Sequence, residues 1–325
     1  MKVVIPGGSG QLGGVLARAF DARGDEVVVL ARGSVAPAGA RLVAWDGRTL
    51  GAWATELDGA DVVVNLAGRS VNCRYTRANL EAMLSSRVDS TRVVGQAIAR
   101  AARPPRVWLQ MSTATIYAHR FDAANDEATG RIGGDEPDAP AYWKTSVDIA
   151  HAWERELREA PTQATRKVAL RTSMVMGPGA GGVFDVLSGL VRKGLGGPIA
   201  GGRQWLSWIH ARDFVRALEW LIEREALDGA VNVASPEPLP QRDFMRELRA
   251  AYGMRLGLPA AKWMVALGAF FLRTDTELVL KSRRVVPGRL LDAGFSFEFP
   301  SWRAAARDLV VRTTTPGCPD PGAAR

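Results

Sequence analysis

Two hydrophobic rhythms alternate along the first third of the chain. Residues 3–5, 26–30, 61–65 and 107–111 are short runs dominated by apolar side chains, and each predicts a strand. Strands apolar on both faces belong to a parallel sheet covered on both sides, and the amphipathic stretches 12–22 and 80–100 supply the covering crossover helices. The pattern therefore predicts a doubly wound α/β fold. Residues 118–141 are irregular and acidic, with Asp122, Asp126, Glu127, Asp135, Glu136 and Asp138 among Gly and Pro, which predicts a surface loop. A helix over 143–158 and a strand over 168–171 follow. Beyond Pro178, Gly-rich loops bracket a helix, a pattern that suits a smaller lobe laid over the sheet. Helices over 213–224 and 244–252 and a short strand over 231–233 come next. The expected organisation is a dinucleotide-binding domain over 1–175, with 205–235 returning to it, and a substrate lobe from 176–204 and 236–312. Residues 313–325, rich in Pro, Gly and Thr, are expected to be a disordered tail.

The amino-terminal strand runs directly into Gly7-Gly8-Ser9-Gly10-Gln11-Leu12-Gly13, and the first helix pattern begins there. A sharp turn, a close backbone approach and tight helix–sheet packing each favour glycine, and the helix start offers free N–H groups to a phosphate. In this strand-loop-helix context the motif predicts dinucleotide binding. Residues 28–32 read Val-Val-Leu-Ala-Arg, so Arg32 stands where an NAD-specific protein usually carries an acidic residue for the ribose hydroxyls. A cation suits a 2′-phosphate, which favours NADP(H) over NAD(H).

Composition changes this picture little. The 325 residues are 47% hydrophobic and 23% charged, an ordinary globular balance. A net charge of +8 and an isoelectric point near 10.0 raise the possibility of a nucleic-acid partner. The arginines, however, are spread singly, with no basic run interleaved with aromatics, so neither nucleic acid nor membrane is expected as a partner. Cys73 and Cys318 are far apart and lack metal-ligand spacing, so neither a disulfide framework nor a metal site is expected. No charged leader or signal-length apolar stretch opens the sequence, which points to the cytoplasm. The most apolar window, 263–272, is about half the ~20 residues of a membrane span and reads as a buried helix.

Several further segments carry a family resemblance. Asn65-Leu66-Ala67-Gly68, Ser86-Arg87 with Ser90-Thr91, Leu170-Arg171, residues 194–198, and residues 204–210 (Gln-Trp-Leu-Ser-Trp-Ile-His) with Asp213 resemble extended and atypical short-chain dehydrogenase/reductases. The match is to the epimerase-family subgroup, similar to nucleoside-diphosphate-sugar epimerases. Residues 232–238 match as well, and 282–287 with Leu290, Leu291, Gly294 and Phe295 resemble that subgroup's small carboxy-terminal domain, placed at about 254–312. The resemblance implies a Rossmann-type sheet. It also implies cofactor contacts from the Gly-rich loop, Ala31, Arg32, Leu66, Ala67, Gly68, Arg87 and Val175.

Most of the superfamily uses a Tyr-x-x-x-Lys pair on one helix face with a Ser or Thr at the end of the fifth strand. Four-residue spacing lets the lysine charge lower the tyrosine's pKa while the phenol exchanges a proton with substrate. Residues 112–117, Ser-Thr-Ala-Thr-Ile-Tyr, resemble the corresponding stretch of sugar-nucleotide epimerases and put Thr113 in the polarising role. The pair itself is incomplete. Tyr142 is followed four residues later by Ser146, and Lys144 faces another side of the helix. Alignment on Trp153-Glu154 places Ser146 and Ala150 in the two positions instead. Tyr142 and Tyr117 remain as candidate acids. His210 and Asp213 read as a packed polar anchor and a helix cap, while Arg203, Gln204 and Trp205 are expected to contact substrate across the cleft. Two readings follow: an NADP(H)-dependent oxidoreductase or epimerase/dehydratase-like enzyme acting on a small molecule, or an NADPH-binding regulatory protein with little catalysis.

Overall fold

The computed structural model describes residues 1–179, 181–264 and 275–314. Its centre is a parallel sheet of seven strands. These are β1 (Lys2–Pro6), β2 (Glu26–Ala31), β3 (Arg41–Ala44), β4 (Val62–Asn65), β5 (Val107–Thr113), β6 (Arg166–Thr172) and β10 (Gly229–Val233). The spatial order is β3-β2-β1-β4-β5-β6-β10, with all neighbours parallel. The order reverses direction between β1 and β4, the switch point at which doubly wound sheets bind ligands.

Alternation along β1 shows why its residues are uniformly apolar. Val3 and Ile5 face one layer, with Leu16 and Phe20 of α1 (Gln11–Ala22) and Phe214 and Leu218 of α5 (Ala211–Glu223). Val4 faces the other, with Val94 and Ile98 of α2 (Arg77–Arg100) and Leu157 of α3 (Lys144–Glu159). Helix α2 begins at Arg77 because the Thr76 hydroxyl accepts a hydrogen bond from the Asn79 N–H and caps it. The α3 segment opens as a 3₁₀ turn, Ala141–Trp143, so Trp143 lies outside the α-helix proper. The strand β3 is not foreshadowed by a buried apolar run. It is a four-residue edge strand with both end residues exposed.

A third core lies beyond the sheet. It joins α4 (Val183–Arg192), α6 (Gln241–Ala251) and the carboxy-terminal helix Trp302–Thr314 through Phe184, Phe244, Leu248, Trp302 and Leu309. Trp302 is fully buried, stacked 3.9 Å from Phe244 and edge-on to Trp208 at 5.0 Å. This helix continues through Thr314, past the start of the expected disordered tail, and residues 315–325 lie outside the described residues. Of the expected buried helix over 263–272, Trp263 is 69% exposed, which contradicts burial at that residue, and 265–272 lie outside the described residues. Among the described residues no helix is long and apolar enough to cross a membrane.

Candidate functional site

Glycines 7, 10 and 13 have three different jobs at the β1–β4 switch point. Gly7 has φ +74°, and a Cβ there would lie 2.5 Å from the Ala67 Cα, so the loop packs on the turn after β4. A Cβ on Gly13 would lie 2.0 Å from the Gly8 carbonyl oxygen, so only glycine lets α1 start this close to the strand. Gly10, the residue preceding α1, has nothing within 4 Å of its Cβ position, and no side chain caps the helix. Open space thus sits in front of the free N–H groups of α1, as an anionic ligand requires.

Asn65 fixes the facing turn. Buried at the end of β4, it donates to the Gln110 side chain (2.9 Å) and accepts from the Ala67 N–H (3.0 Å), holding Leu66, Ala67 and Gly68 against the glycine loop. Ala31 is buried at the end of β2, and Arg32 beside it is exposed, with no hydrogen bond or ion pair among the described residues. Arg87, on α2, reaches the same turn: its guanidinium lies 3.2 Å from a Cβ position on Gly68 and 5.0 Å from the Trp153 ring. It donates to the Met83 carbonyl (3.0 Å), and among the described residues no carboxylate is within ion-pairing distance. Burial pushes its pKa down to about 10. Val175 lies in β7 (Met174–Met176), which pairs with β9 (Trp208–His210) just past the end of β6. The glycine loop, its capless helix, Arg32 and Arg87 together fit a dinucleotide whose pyrophosphate rests on α1.

At the end of β5, the half-buried Thr113 accepts a hydrogen bond from the Thr115 N–H (3.1 Å). Tyr117 is placed differently from the expectation of an acid. It is 1% exposed, donates to Asn232 (2.9 Å) and accepts from Arg171 (3.0 Å), and Arg171 is itself clamped to Glu154 at 2.9 and 2.8 Å. A phenol with both bonds made inside the core has no path to a substrate. Tyr142 lies at the rim, 43% exposed, with its hydroxyl 2.9 Å from that of Thr276. Lys144 pairs with Asp148 in solvent, and Ala150 is fully buried.

Ser146 is occupied by a partner the sequence did not announce. Its hydroxyl donates to the Glu277 carboxylate at 2.6 Å. Glu277 begins the short helix Glu277–Leu280 and is fully buried. Its other oxygen lies 3.4 Å from the ammonium of Lys281, which also donates to the Thr115 carbonyl (3.0 Å), two residues beyond Thr113. Tyr75, half-buried in the loop before α2, feels the charges of Glu277, Arg283 and Asp275. Burial, reinforced by Glu277, pushes its phenol well above the ordinary tyrosine value. Lys281 is held below the usual lysine range by burial, against the pull of Glu277. Ser146 and Glu277 are 131 positions apart and Thr115 and Lys281 are 166 apart, and no local pattern marks them.

The segment expected to contact substrate serves a different purpose. Gln204 is buried and donates to the carbonyls of Ile199 and Val279 at 3.2 and 3.3 Å. Trp205 opens β8 (Trp205–Leu206), takes the Ser282 hydroxyl on its N–H (3.1 Å) and lies under Arg284, 4.2 Å from its ring. Both seat the carboxy-terminal segment. Arg203 is exposed and makes no hydrogen bond or ion pair among the described residues. His210, not Asp213, caps α5. Its ring accepts from the Arg212 N–H (3.1 Å), contacts Asp308 (3.1 Å) and stacks on Phe299 at 4.0 Å. The fully buried Asp213 carboxylate instead accepts the Glu298 and Phe299 N–H groups, each at 2.8 Å.

Comparison with known proteins agrees with this architecture. Residues 3–234 match the NAD dependent epimerase/dehydratase family, and residues 260–309 match a domain of unknown function designated DUF1731. Epimerase family protein SDR39U1 of Bos taurus is 32% identical over 315 residues, covering 96% of this chain and 100% of the relative. Epimerase family protein YfhF of Bacillus subtilis is 27% identical over 326 residues, covering 97% of this chain and 100% of the relative. The crystal structure of human SDR39U1 with NADPH superposes with a TM-score of 0.83 at 29% identity, over 96% of this chain and all of the human one.

Proposed function

The chain belongs to the NAD dependent epimerase/dehydratase family, and on that premise we propose that it binds NADPH and acts as an oxidoreductase on a carbonyl or hydroxyl of a small molecule. The observation that carries the cofactor choice is Arg32, an unengaged guanidinium at the end of β2, where the 2′-phosphate of NADPH would lie and where a carboxylate would repel it. The similar human protein crystallised with NADPH supports the same choice. Arg87 would face the phosphate and ribose side of the turn 66–68. Bound there, NADPH supplies a hydride to a substrate in the cleft at the carboxyl ends of the strands. Thr113 would polarise the reacting oxygen, and a tyrosine at the cleft would exchange the proton.

Titration of nicotinamide fluorescence tests the assignment. The wild-type protein should bind NADPH more tightly than NADH. Arg32→Glu should weaken NADPH about tenfold or more, the worth of one charge-assisted contact to phosphate, and leave NADH nearly unchanged. Equal loss for both cofactors would sink the NADPH assignment.

A further inference from the structure

We propose that the face formed by residues 192–200 and 255–264 docks the protein on an anionic lipid bilayer, lying in the headgroup layer without crossing it. The inference goes beyond the NADPH-oxidoreductase reading and does not depend on it.

Two segments make the face, and their backbones bind each other. The Leu258 N–H donates to the Gly194 carbonyl (2.8 Å), the Ala260 N–H to that of Pro198 (2.9 Å), and the Ala200 N–H to that of Ala260 (2.8 Å). The approach is close enough that a Cβ on Gly197 would run into the Leu258 carbonyl. The large side chains of this ribbon are left in solvent. Leu256 is 84% exposed, Trp263 69%, Leu258 66% and Leu195 48%, and Met264 beside Trp263 is 43% exposed. A single exposed leucine is ordinary, but five large apolar side chains on two hydrogen-bonded segments form a patch of the kind that binds something.

Charge decides what covers it. Arg192, Lys193, Arg255 and Lys262 are interleaved with these side chains, all exposed, and among the described residues none of the four makes a side-chain hydrogen bond or an ion pair. Residues 186–212 and 248–264 contain no Asp or Glu, although 34 of the 325 residues are acidic, so the carboxylates that balance cations elsewhere are missing from both segments. The acids nearest in sequence are engaged: Asp185 accepts the Gly181 N–H, and Glu247 pairs with Arg246 and Arg303. Aliphatic side chains, one indole and several cations without an anion are the composition of an interfacial segment. The aliphatic groups enter the acyl boundary, the indole settles at headgroup depth, and the cations meet lipid phosphates. A second copy of the chain fits poorly, because a two-fold contact would set the four cations against the same four. Single-stranded nucleic acid needs stacked aromatic rings, and Trp263 is the one aromatic side chain of the face. The expectation that no membrane is a partner rested on cations spread singly along the sequence, whereas the fold gathers four of them from two distant segments.

Vesicle binding by the full chain tests this. At low salt the protein should sediment with vesicles of equal parts phosphatidylcholine and phosphatidylglycerol, and not with phosphatidylcholine alone. Arg255→Ser/Lys262→Ser removes cations and Leu256→Ser/Leu258→Ser removes apolar area. Each pair should weaken partitioning onto the anionic vesicles about tenfold or more. All four side chains are exposed, so both variants should melt within about 3 °C of wild type, and if one pair does not fold the other decides. Acyl-brominated lipid should quench wild-type fluorescence more than that of Trp263→Phe, which keeps an apolar ring and removes the indole at the contact. Equal quenching of the two, or no binding to the anionic vesicles, overturns the proposal. So does binding that Leu256→Ser/Leu258→Ser leaves at wild-type strength, which is only the attraction of a chain of net charge +8 to an anionic surface. A wild-type dimer that the same pair splits into monomers also overturns it, making the face a contact between copies. Protein that binds these vesicles but not NADPH leaves this inference standing and removes the oxidoreductase reading.

Discussion

At the scale of single residues, the glycine loop separates what the fold needs from what the ligand needs. Gly13→Ala would ordinarily stabilise a helix by about 1 kcal/mol, but here its methyl meets the Gly8 carbonyl oxygen at 2.0 Å. Backbone on both sides must move, so this variant should lose both stability and NADPH affinity. Gly10→Ala meets no protein atom within 4 Å and keeps an ordinary negative φ. It should melt within about 3 °C of wild type yet bind NADPH at least about tenfold more weakly, because its methyl fills only the space in front of α1. A melting curve and a fluorescence titration on each variant check the contrast, and a Gly10→Ala chain with full affinity would mean that no phosphate lies there. This loop was legible in the sequence because its chemistry is local: strand, turn and helix start fall within thirteen residues. Ser146 and Glu277 were not, since each acquires its partner from the rest of the fold.

At the scale of elements, the buried strands were legible and the edge strand β3 was not, for one physical reason. A strand covered on both faces must be apolar along its buried stretch, as β1, β2 and β4 are apart from Lys2, Glu26 and Asn65 at their ends, whereas β3 closes an edge and keeps exposed ends. Polar anchoring holds that edge instead. Arg41 grips Glu56 of the 3₁₀ helix Ala52–Leu57 at 2.9 and 2.8 Å, and Lys2 of β1 reaches the same carboxylate at 3.1 Å. The Arg41 hydrogen bond, aided by Lys2 against a burial penalty, holds Glu56 down to about 2. A carboxylate depressed on folding contributes stability above its unfolded pKa and loses it as pH falls through the folded one. Unfolding free energy should therefore decline from about pH 5 toward 2, with a share of no more than about 1 kcal/mol from this solvent-facing cluster. Glu56→Gln should remove that share of the acid dependence, and urea unfolding at pH 7 and pH 3 gives the measurement. An identical acid slope in both proteins would show the cluster to be without energetic weight. The α5 start teaches the complementary lesson. Asp213 has the residue type of a cap, yet His210 performs the capping because the aspartate is drawn inward to two unsatisfied N–H groups of the chain at 298 and 299.

At the scale of the whole molecule, the carboxy-terminal segment adjoins the candidate site, since it brings Glu277 to Ser146 of α3 and Lys281 to the Thr115 carbonyl. The glycine loop, Arg32 and the turn 66–68 depend on the two layers of the sheet, whereas the carboxy-terminal segment is seated by Gln204 and Trp205, next to Leu206 of the third core. Trp302 is the piece on which that core turns: fully buried, stacked on Phe244, edge-on to Trp208, with its indole N–H donated to the Phe244 carbonyl at 2.8 Å. Trp302→Ala should cost about 3–5 kcal/mol in that lobe. Local opening free energies differ between such units, so the damage should stay on one side of the molecule. Limited proteolysis should then cut first among α4, α6 and the carboxy-terminal helix, while NADPH binding measured on the uncut protein stays within about threefold of wild type. Simultaneous loss of NADPH binding and of all protease resistance would mean instead that sheet and lobe fold as one cooperative unit.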